Sequence, residues 1–361
     1  MIGGIGAQYL SSQGVHAQAQ PPQVIPTGFK RVGADLSPAI AKGAMIDADI
    51  AIIDSGVAFH PDLNLAKERC FTFSSDPRSP PSPRICKDGS GHGTRVAGVA
   101  AAINNDFGTV GAAPGARIWA LDVCDPLCDP NAKLSAYRFV ADHANEIDVV
   151  NISLGDPLGR NFAQDKKAIE NIISKGVVVV VSAGNENRDV KGRSPAGIPA
   201  AITVSAIADS DGKCGGEGRA WSVNKVTNPD DFILSTSNFG PGVDFAAPGN
   251  FIRTTAIKGG YDNTASDTSV AAPHVAGAAA LLKSINPNAT PAEIEAKLHK
   301  DATKPPSVLG PGVAPDPRKP CDGHGRGYFV HIYHDSKVMP RKGHHFEDLL
   351  YMGDIGKPDP P

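Results

Sequence analysis

Short runs of mainly apolar residues constrain the fold of this chain more than any other feature. Each run is at most six residues long and shows no alternation of apolar and polar residues, which is typical of parallel strands buried on both faces. The runs are residues 50–53, 118–123, 149–152, 177–181 and 202–204. Between them lie helical patterns such as residues 165–175, which Gly176 can end. We therefore predict an α/β fold: a doubly wound, mostly parallel central sheet with helices on both faces and functional residues at the carboxyl ends of its strands.

Length and charge narrow the class of protein further. A chain of 361 residues, 41% hydrophobic and 20% charged, is long enough for one large domain or two modest ones. Its formal net charge of -3 is too small to attract nucleic acid or a membrane surface, and no apolar run reaches 18 residues. We expect a soluble monomer without a nucleic-acid partner and without a membrane span.

Composition changes mark the boundaries of the predicted domain. Residues 1–20 read as a leader or propeptide remnant, residues 21–310 as the folded domain, and residues 311–361 as an irregular tail that follows a proline-rich connector. The N-terminus lacks the basic region of a signal peptide. Near the end of the domain, Thr290, Pro291 and Glu293 form a capping-box pattern that predicts a helix to about Lys300.

The six cysteines are compatible with disulfides but do not require them. Pairing Cys70 with Cys86 and Cys124 with Cys128 is one arrangement. The C-D-P-L-C stretch that ends at Cys128 is also compatible with half a zinc site, although no second ligand pair follows it at the required spacing. Histidine pairs in the tail, at 331/334 and 344/345, are interpreted as solvated surface residues.

Three short segments point to hydrolytic chemistry. They are I-I-D-S-G with Asp54, G-H-G-T with His92, and D-T-S-V-A-A-P-H-V-A-G with Ser269. A serine hydroxyl needs a base to remove its proton, a group that orients the base, and donors for the oxyanion. Ser269 opens an alanine-rich helix, with Pro273 expected in its first turn, so the nucleophile would lie at a positive helix end. Asn185 follows a predicted strand and could donate to the oxyanion.

These segments resemble those of the subtilisin-like serine proteases, which share the order Asp, His, Ser. The resemblance covers residues 52–282 and includes the His-Pro-Asp-Leu, Ser-Leu-Gly and Ser-Ala-Gly-Asn segments that begin at His60, Ser153 and Ser182. It implies a secreted serine endopeptidase that acts on peptides or proteins through an acyl-enzyme. A lipase or esterase is disfavoured because the chain has no G-x-S-x-G elbow.

The resemblance also assigns roles around the triad of Asp54, His92 and Ser269. Asn185 becomes the oxyanion donor, and the substrate groove, where a peptide adds as a strand, is formed by Ser153, Leu154, Gly155, Ala183 and Gly184. A structural calcium ion is implied at Asp62, the Asn105 amide and the carbonyls of Ile103, Phe107 and Thr109. A solvated, asparagine-rich turn is the alternative interpretation, because a further N-terminal ligand is not identified.

Two positions depart from the family pattern. Asp267 stands where the family has glycine, beside the nucleophile, so it would be strained if the backbone needs a positive φ, and its charge opposes an oxyanion. A catalytically impaired homologue that binds peptides is therefore the second hypothesis. Arg193 falls at the back of the first specificity pocket, where it would favour acidic side chains or fill the space, or else it is an exposed loop residue.

Overall fold

The computed structural model describes residues 20–83, 85–124, 127–156, 158–213, 218–223, 226–228, 230–302 and 348–357. Its helices are α1 (Thr27–Arg31), α2 (His92–Ala101), α3 (Pro130–Asp142), α4 (Phe162–Ser174), α5 (Thr268–Ile285) and α6 (Pro291–Asp301), with 3-10 turns at Ala34–Leu36 and Ile257–Gly259. Its strands are β1 (Asp49–Asp54), β2 (Leu65–Thr72), β3 (Ser82–Pro83), β4 (Arg117–Asp122), β5 (Val149–Ile152), β6 (Val178–Ser182), β7 (Ile202–Ala208), β8 (Trp221–Val223), β9 (Val226–Asn228), β10 (Phe232–Ile233), β11 (Phe245–Pro248), β12 (Ile252–Ala256), β13 (Gly260–Ala265) and β14 (Asp348–Leu349).

A mostly parallel sheet forms the centre of the molecule, as the apolar runs predict. Its order is β14-β11-β7-β6-β5-β1-β4-β2-β3, and β10 also pairs with β7. The pairs β2/β3 and β7/β10 are antiparallel, and the other pairs of this sheet are parallel. All five predicted runs fall on strands, β1, β4, β5, β6 and β7. The short antiparallel strands carry no comparable run, and the apolar pattern does not predict them.

Both faces of the sheet are covered, which makes the fold doubly wound as predicted. Along β1, Ile50 and Ile52 contribute to the core beneath α2 and α5, whereas Ala51 and Ile53 contribute to the core beneath α3 and α4. Alternate side chains of a strand point to opposite faces. Every residue of β1 is buried, and this explains why the run has no polar alternation.

The winding of the sheet reverses direction at β1, between β4 on one side and β5 on the other. In open α/β sheets, the crevice at such a reversal lies beyond the carboxyl ends of the strands and is the usual place for a site. Asp54 is the last residue of β1, and Ser153 follows the last residue of β5. The topology therefore brings two predicted site residues to one crevice.

Helix boundaries confirm most of the expectations and correct two. The capping box at Thr290 and Glu293 is formed, and α6 begins at Pro291. Helix α4 begins at Phe162, before the predicted start at residue 165. Pro273 was expected in the first turn of its helix, but α5 begins at Thr268 and includes Pro273 as its sixth residue. The proline therefore lies inside the helix and removes one of its backbone hydrogen bonds.

Two disulfides, Cys70–Cys86 and Cys124–Cys128, confirm the suggested pairing, so the C-D-P-L-C cysteines are not zinc thiolates here. Residues 348–357 pack against the domain: β14 pairs with β11, and His299 Nδ1 lies 2.6 Å from the Asp348 carboxylate. Some of the predictions fall outside the described residues. They concern the boundary at residue 310, residues 1–19, Cys214, Cys321 and the tail histidines. Within the described part of the chain, no helix has the length and apolar character needed to cross a membrane.

Candidate active site

The predicted base and its orienting carboxylate are in direct contact. Asp54 ends β1, His92 begins α2, and His92 Nδ1 lies 2.7 Å from Asp54 Oδ1. The glycine after the histidine is required at this contact, because a Cβ on Gly93 would lie 2.1 Å from the Gly56 carbonyl oxygen and 3.0 Å from Asp54 Cβ. The G-H-G pattern therefore lets the start of α2 approach the end of β1.

Asp88 is a second buried carboxylate behind this pair, and the sequence analysis missed it. Its Oδ1 accepts the Gly91 N–H at 2.7 Å and its Oδ2 accepts the Thr94 N–H at 2.8 Å. The Ser55 hydroxyl, beside Asp54, also donates to Asp88 at 2.8 Å. Asp88 thus satisfies free N–H groups at the start of α2 and links that helix to β1. An aspartate four residues before the histidine was the available signal.

The charges around His92 favour its protonated form. Burial by itself lowers the pKa of His92, but the charge and hydrogen bond of Asp54, followed by the charges of Asp267 and Asp88, raise it to about 9. The two opposing causes show that the imidazole is partly removed from water and surrounded by carboxylates. Because only the neutral ring can accept a proton, these carboxylates oppose the predicted role of His92 as a base.

Ser269 lies in the second position of α5 and is tied to the segment after β5. Its hydroxyl donates to the Ser153 carbonyl at 3.3 Å, while the Ser153 hydroxyl donates to the Ser269 carbonyl at 2.9 Å. That carbonyl is free because Pro273, four residues later, has no N–H to donate. Among the described residues, the Ser269 hydroxyl bonds to Ser153 and not to His92, and such catalytic bonds often tighten only with substrate.

Asn185, the predicted oxyanion donor, is oriented by the start of the same helix. Its Oδ1 accepts both the Thr268 N–H at 3.0 Å and the Thr268 hydroxyl at 2.9 Å. With the oxygen held on Thr268, the Asn185 NH2 group is left as the free end of the amide, and the side chain lines the same cleft as Ser269. Thr268, which the sequence analysis did not single out, is therefore a positioning residue.

Asp267 is accommodated without backbone strain, contrary to the concern about positive φ. Its φ of 172° and ψ of -174° are extended, a conformation that any residue adopts. Its carboxylate Oδ1 accepts the Ser269 N–H at 2.8 Å and so caps α5. The aspartate is thus a stable helix cap, but it occupies the backbone donor nearest the nucleophile.

The residues predicted to bind substrate line one cleft together with Ser269 and Asn185. They are Ser153, Leu154, Gly155, Ala183, Gly184 and Arg193. Within the described residues, the peptide groups of Leu154 and Gly155 make no backbone hydrogen bond, although the next residue, Asp156, pairs with Ser194. An open peptide edge of this kind is a place where an extended peptide can add as a strand.

Arg193 lines this cleft but is held by its own loop. Its Nε donates to the Asp189 carbonyl oxygen at 2.8 Å. Two acidic residues that the sequence analysis did not assign, Asp156 and Glu186, also line the cleft. The Glu186 carboxylate accepts the Asn238 amide at 2.7 Å. The charge inside the cleft is therefore mixed.

The residues predicted for calcium converge in the structure. Asp62 is fully buried and accepts the Asn105 amide at 2.8 Å and the Thr109 N–H at 3.0 Å. Burial raises the pKa of Asp62, and these hydrogen bonds oppose the rise. Gln23, from the N-terminal segment, reaches the same loop: its Nε2 donates to the carbonyls of Ile103 and Thr109, each at 3.1 Å. Phe107 belongs to the same loop, and its N–H donates to Asn105 Oδ1 at 2.8 Å.

Comparisons with known proteins identify the family that this chain matches. Residues 47–319 match the model of the subtilase family. The chain is 32% identical over 299 residues to subtilisin NAT of Bacillus subtilis subsp. natto, covering 80% of this chain and 68% of that protein. It is also 32% identical over 292 residues to subtilisin of Bacillus pumilus, covering 78% of this chain and 92% of that protein.

Solved structures show the same likeness at the level of the fold. The S41 psychrophilic protease has a TM-score of 0.63 at 28% identity, with 80% of this chain and 92% of that chain covered. Sphericase has a TM-score of 0.63 at 28% identity, with 79% and 92% covered.

Proposed function

The chain belongs to the subtilase family of serine proteases, and from that premise we propose that it is an endopeptidase working through Asp54, His92 and Ser269. The single observation that carries the proposal is the 2.7 Å contact between His92 and Asp54 at the end of β1, with both residues held by a buried network. This contact fixes the ring orientation that a base for Ser269 requires.

The proposed reaction begins with neutral His92. The imidazole accepts the hydroxyl proton of Ser269 as Oγ attacks the peptide carbonyl, and the carbonyl electrons move to its oxygen. Collapse of this tetrahedral species breaks the C–N bond, and His92 returns the proton to the leaving amine. Water then attacks the acyl-enzyme in the same way, releasing the acid and restoring Ser269. Asp54 stabilises the imidazolium throughout and keeps its proton on Nδ1.

Two donors are proposed for the oxyanion. One is the Asn185 NH2 group, whose amide oxygen is held by Thr268. The other is the Ser269 N–H, adjacent to the attacking Oγ, which in the resting protein donates to Asp267. Because a donor of this kind lowers the barrier by about 2.7 to 4 kcal/mol, the Asp267 carboxylate has to release the N–H for full activity.

Peptide binding is proposed along the free peptide groups of Leu154 and Gly155. An added strand needs main-chain partners and places alternate side chains in pockets. The cleft lined by Ala183, Gly184 and Arg193 would receive the side chain next to the scissile bond. This mode suits peptide or protein substrates and leaves the natural sequence preference open.

A catalytically impaired homologue that still binds peptides is the second candidate, and Asp267 favours it. The carboxylate accepts the Ser269 N–H and raises the pKa of His92 together with Asp54. If substrate does not displace it, the groove would bind peptide while acylation is slow. The two candidates predict the same peptide groove and differ in turnover.

Active-site labelling with a fluorophosphonate probe, paired with hydrolysis of casein, separates the two candidates. The endopeptidase proposal expects labelling and turnover in the native protein, both lost in Ser269→Ala but kept in Ser284→Ala at the far end of α5. Labelling of Asp267→Gly but not of the native protein would establish the impaired homologue. Labelling of neither would overturn Ser269 as the nucleophile.

A structural calcium ion is proposed at Asp62, Gln23, Asn105 and the carbonyls of Ile103, Phe107 and Thr109. The support is a donor set made of oxygen: the Asp62 carboxylate, the three carbonyls and the Gln23 amide, which presents oxygen in place of nitrogen after a 180° turn. The same turn of the Asn105 amide has to give up the Phe107 N–H that its oxygen accepts. The ion would hold the N-terminal segment against the loop after α2, and it takes no part in the reaction. Chelator should lower the melting temperature of the native protein more than that of Asp62→Asn, and equal responses would contradict the site.

We also propose that the protein is secreted and monomeric. Two disulfides favour an oxidising compartment, since thiols are kept reduced in most cytosols. Alkylation without prior reduction, measured by mass spectrometry on protein from its natural source, tests the compartment. If every cysteine reacts, the thiols are reduced and the proposed oxidising compartment is wrong. Light scattering of the purified protein tests the oligomeric state.

A further inference from the structure

Four aspartates meet beyond one end of β7, far from the catalytic residues in the sequence. Asp209 directly follows β7, and Asp230 and Asp231 directly precede β10. The antiparallel register pairs Ala208 with Phe232 and therefore brings the carboxylates that flank this pair together. Asp211 reaches the same place because the chain turns back after Asp209, where the Gly212 N–H donates to Asp209 Oδ1 at 3.1 Å.

Three of these aspartates converge on one point. Asp209, Asp211 and Asp230 each offer a carboxylate oxygen, and these oxygens lie within 4.8 Å of one another. Asp209 and Asp230 are buried, at 1% and 2% exposure. Asp230 is further fixed by the N–H groups of Ser210 at 2.7 Å and Gly218 at 3.0 Å. Surface acidic clusters are common, but two buried carboxylates side by side are not.

An unpartnered atom of the cluster points to a ligand. Among the residues that the structure describes, Asp209 Oδ2 is buried and has no hydrogen-bond partner. A buried carboxylate oxygen without a partner costs free energy unless a proton or a cation satisfies it. Arg31 is the neighbouring cation: its Nε donates to Asp231 at 2.6 Å, and its Nη2 is buried without a hydrogen-bond partner among the described residues.

We propose that Asp209, Asp211 and Asp230 form a calcium site, separate from the one at Asp62 and independent of the proposed catalysis. All three ligands are hard oxygen donors, which suit Ca²⁺ and Mg²⁺ and not the softer transition metals. Two oxygens on one ion are at most twice the bond length apart: about 4.6 to 5.2 Å for Ca²⁺ and about 4.2 Å for Mg²⁺. Carboxylate oxygens that all lie within 4.8 Å of one another are close enough for one Ca²⁺ ion to bind them.

Binding here would join the loop after β7 to the strand that pairs with it. β10 has only two residues, Phe232–Ile233, and a short strand contributes little pairing of its own. A cation held by residues from both segments would stabilise the edge that they form. The site thus has a structural role, and its loss affects the melting temperature rather than the chemical step.

The test uses full-length Ser269→Ala protein, which cannot digest itself if the proposed function holds. Calcium chloride alone is titrated by calorimetry and by the shift in melting temperature, with magnesium chloride as the comparison ion. Asp211→Asn is the first variant, because that residue is partly exposed and the chain should fold without its charge. Asp76→Asn removes the same charge from an exposed loop and is the matched control, and Asp62→Asn isolates the other proposed site.

The proposal expects Asp211→Asn to lose one equivalent of bound Ca²⁺ and part of the Ca²⁺-dependent rise in melting temperature, in both the native and the Asp62→Asn backgrounds. Asp209→Asn should melt at a higher temperature than the parent without metal, since an unpaired buried charge is removed, and should lose the same equivalent. An unchanged stoichiometry in Asp211→Asn would overturn the site. A lower metal-free melting temperature in Asp209→Asn would show that this carboxylate serves Arg31 instead.

Discussion

The two sides of the catalytic crevice are built differently. On the side of the base, Asp54 and His92 are in contact and Asp88 anchors the start of α2, so the pair is assembled before any substrate arrives. On the side of the nucleophile, Ser269 bonds to Ser153 and Asp267, two contacts that a bound substrate has to replace. The proposed base is therefore preorganised, whereas the proposed nucleophile is held in a resting state.

Removing the charge of Asp54 should have the largest effect on kcat. Asp54→Asn keeps the shape of the side chain but removes the charge that orients and stabilises imidazolium, so we expect kcat to fall by about 10⁴-fold. Steady-state hydrolysis of a peptide substrate measures this. Asp142→Asn, exposed at the end of α3, should leave kcat unchanged. A fall of less than tenfold in Asp54→Asn would mean that the preorganised pair is not the catalytic one.

Removing the contact between Asp267 and the Ser269 N–H should raise kcat. Asp267→Gly frees the Ser269 N–H for the oxyanion, and one such donor corresponds to about 10²- to 10³-fold in kcat. Stability should fall by only a few tenths of a kcal/mol, because glycine is a tolerated N-cap. Asp267→Asn keeps a capping oxygen without the charge and should lie between the two. If kcat falls in Asp267→Gly, the carboxylate assists turnover and the resting-state interpretation is wrong.

This contrast also separates what the sequence could reveal from what it could not. Asp54, His92 and Ser269 sit in contiguous motifs, and β1, β4 and β6 are contiguous apolar runs, so local pattern was sufficient for them. Gln23 meets Ile103, and Asp209 meets Asp230, only through long-range pairing. The partner strand β10 is two residues long, which is too short to show an alternation of apolar and polar residues.

Asp267 shows the same limit at a single position. The departure from glycine is visible in the sequence, but its consequence depends on a φ of 172° that no local pattern specifies. The positive φ that would have strained the aspartate is therefore absent. Asp267 reaches the Ser269 N–H because of the direction in which its side chain points, and only the structure gives that direction.

Acid should lower the stability of the folded protein through a histidine of α5 that the proposed mechanism does not use. His274, one turn along α5 from Val270, is buried, and this burial lowers its pKa to about 4 although its contacts with the Val270 and Ala271 carbonyls oppose the shift. The unfolded chain binds a proton near pH 6.5 and the folded chain does not, so stability is complete above that pH and is lost as the pH falls towards 4. The loss is about 3 kcal/mol at most.

Urea unfolding of the Ser269→Ala protein at pH 7 and pH 4.5 measures this loss. In His274→Gln the difference between the two pH values should shrink by about 2 kcal/mol, since no buried imidazole remains to be protonated. His143→Gln, which removes a partly exposed histidine, is the control and should keep the full difference. Equal pH dependence in His274→Gln and the parent would show that acid acts elsewhere.

The pH profile of activity reports the charge that both sides impose on His92. Because its pKa is raised to about 9 and only the neutral ring accepts a proton, kcat/KM should increase about tenfold per pH unit below 9 and level off above it. Asp267 contributes to the rise, so Asp267→Gly should move the midpoint to lower pH. A midpoint near 6.5 in the native protein, or one that does not move in Asp267→Gly, would show that the carboxylates across the crevice do not act on the base.

The smallest expected effect concerns the cleft that both sides share. Arg193 donates its Nε to the Asp189 carbonyl, and Asp156 and Glu186 lie in the same cleft, so the arginine should not impose a strong preference for acidic side chains. Arg193→Gly should change the ratio of kcat/KM between glutamate and leucine peptides by less than about threefold, since a partly exposed charge contributes under 1 kcal/mol. Arg188→Gly, at an exposed neighbouring loop position, is the matched control. A tenfold loss of glutamate preference would place the guanidinium inside the pocket during turnover, and would make Arg193 the residue on the nucleophile side that selects the substrate.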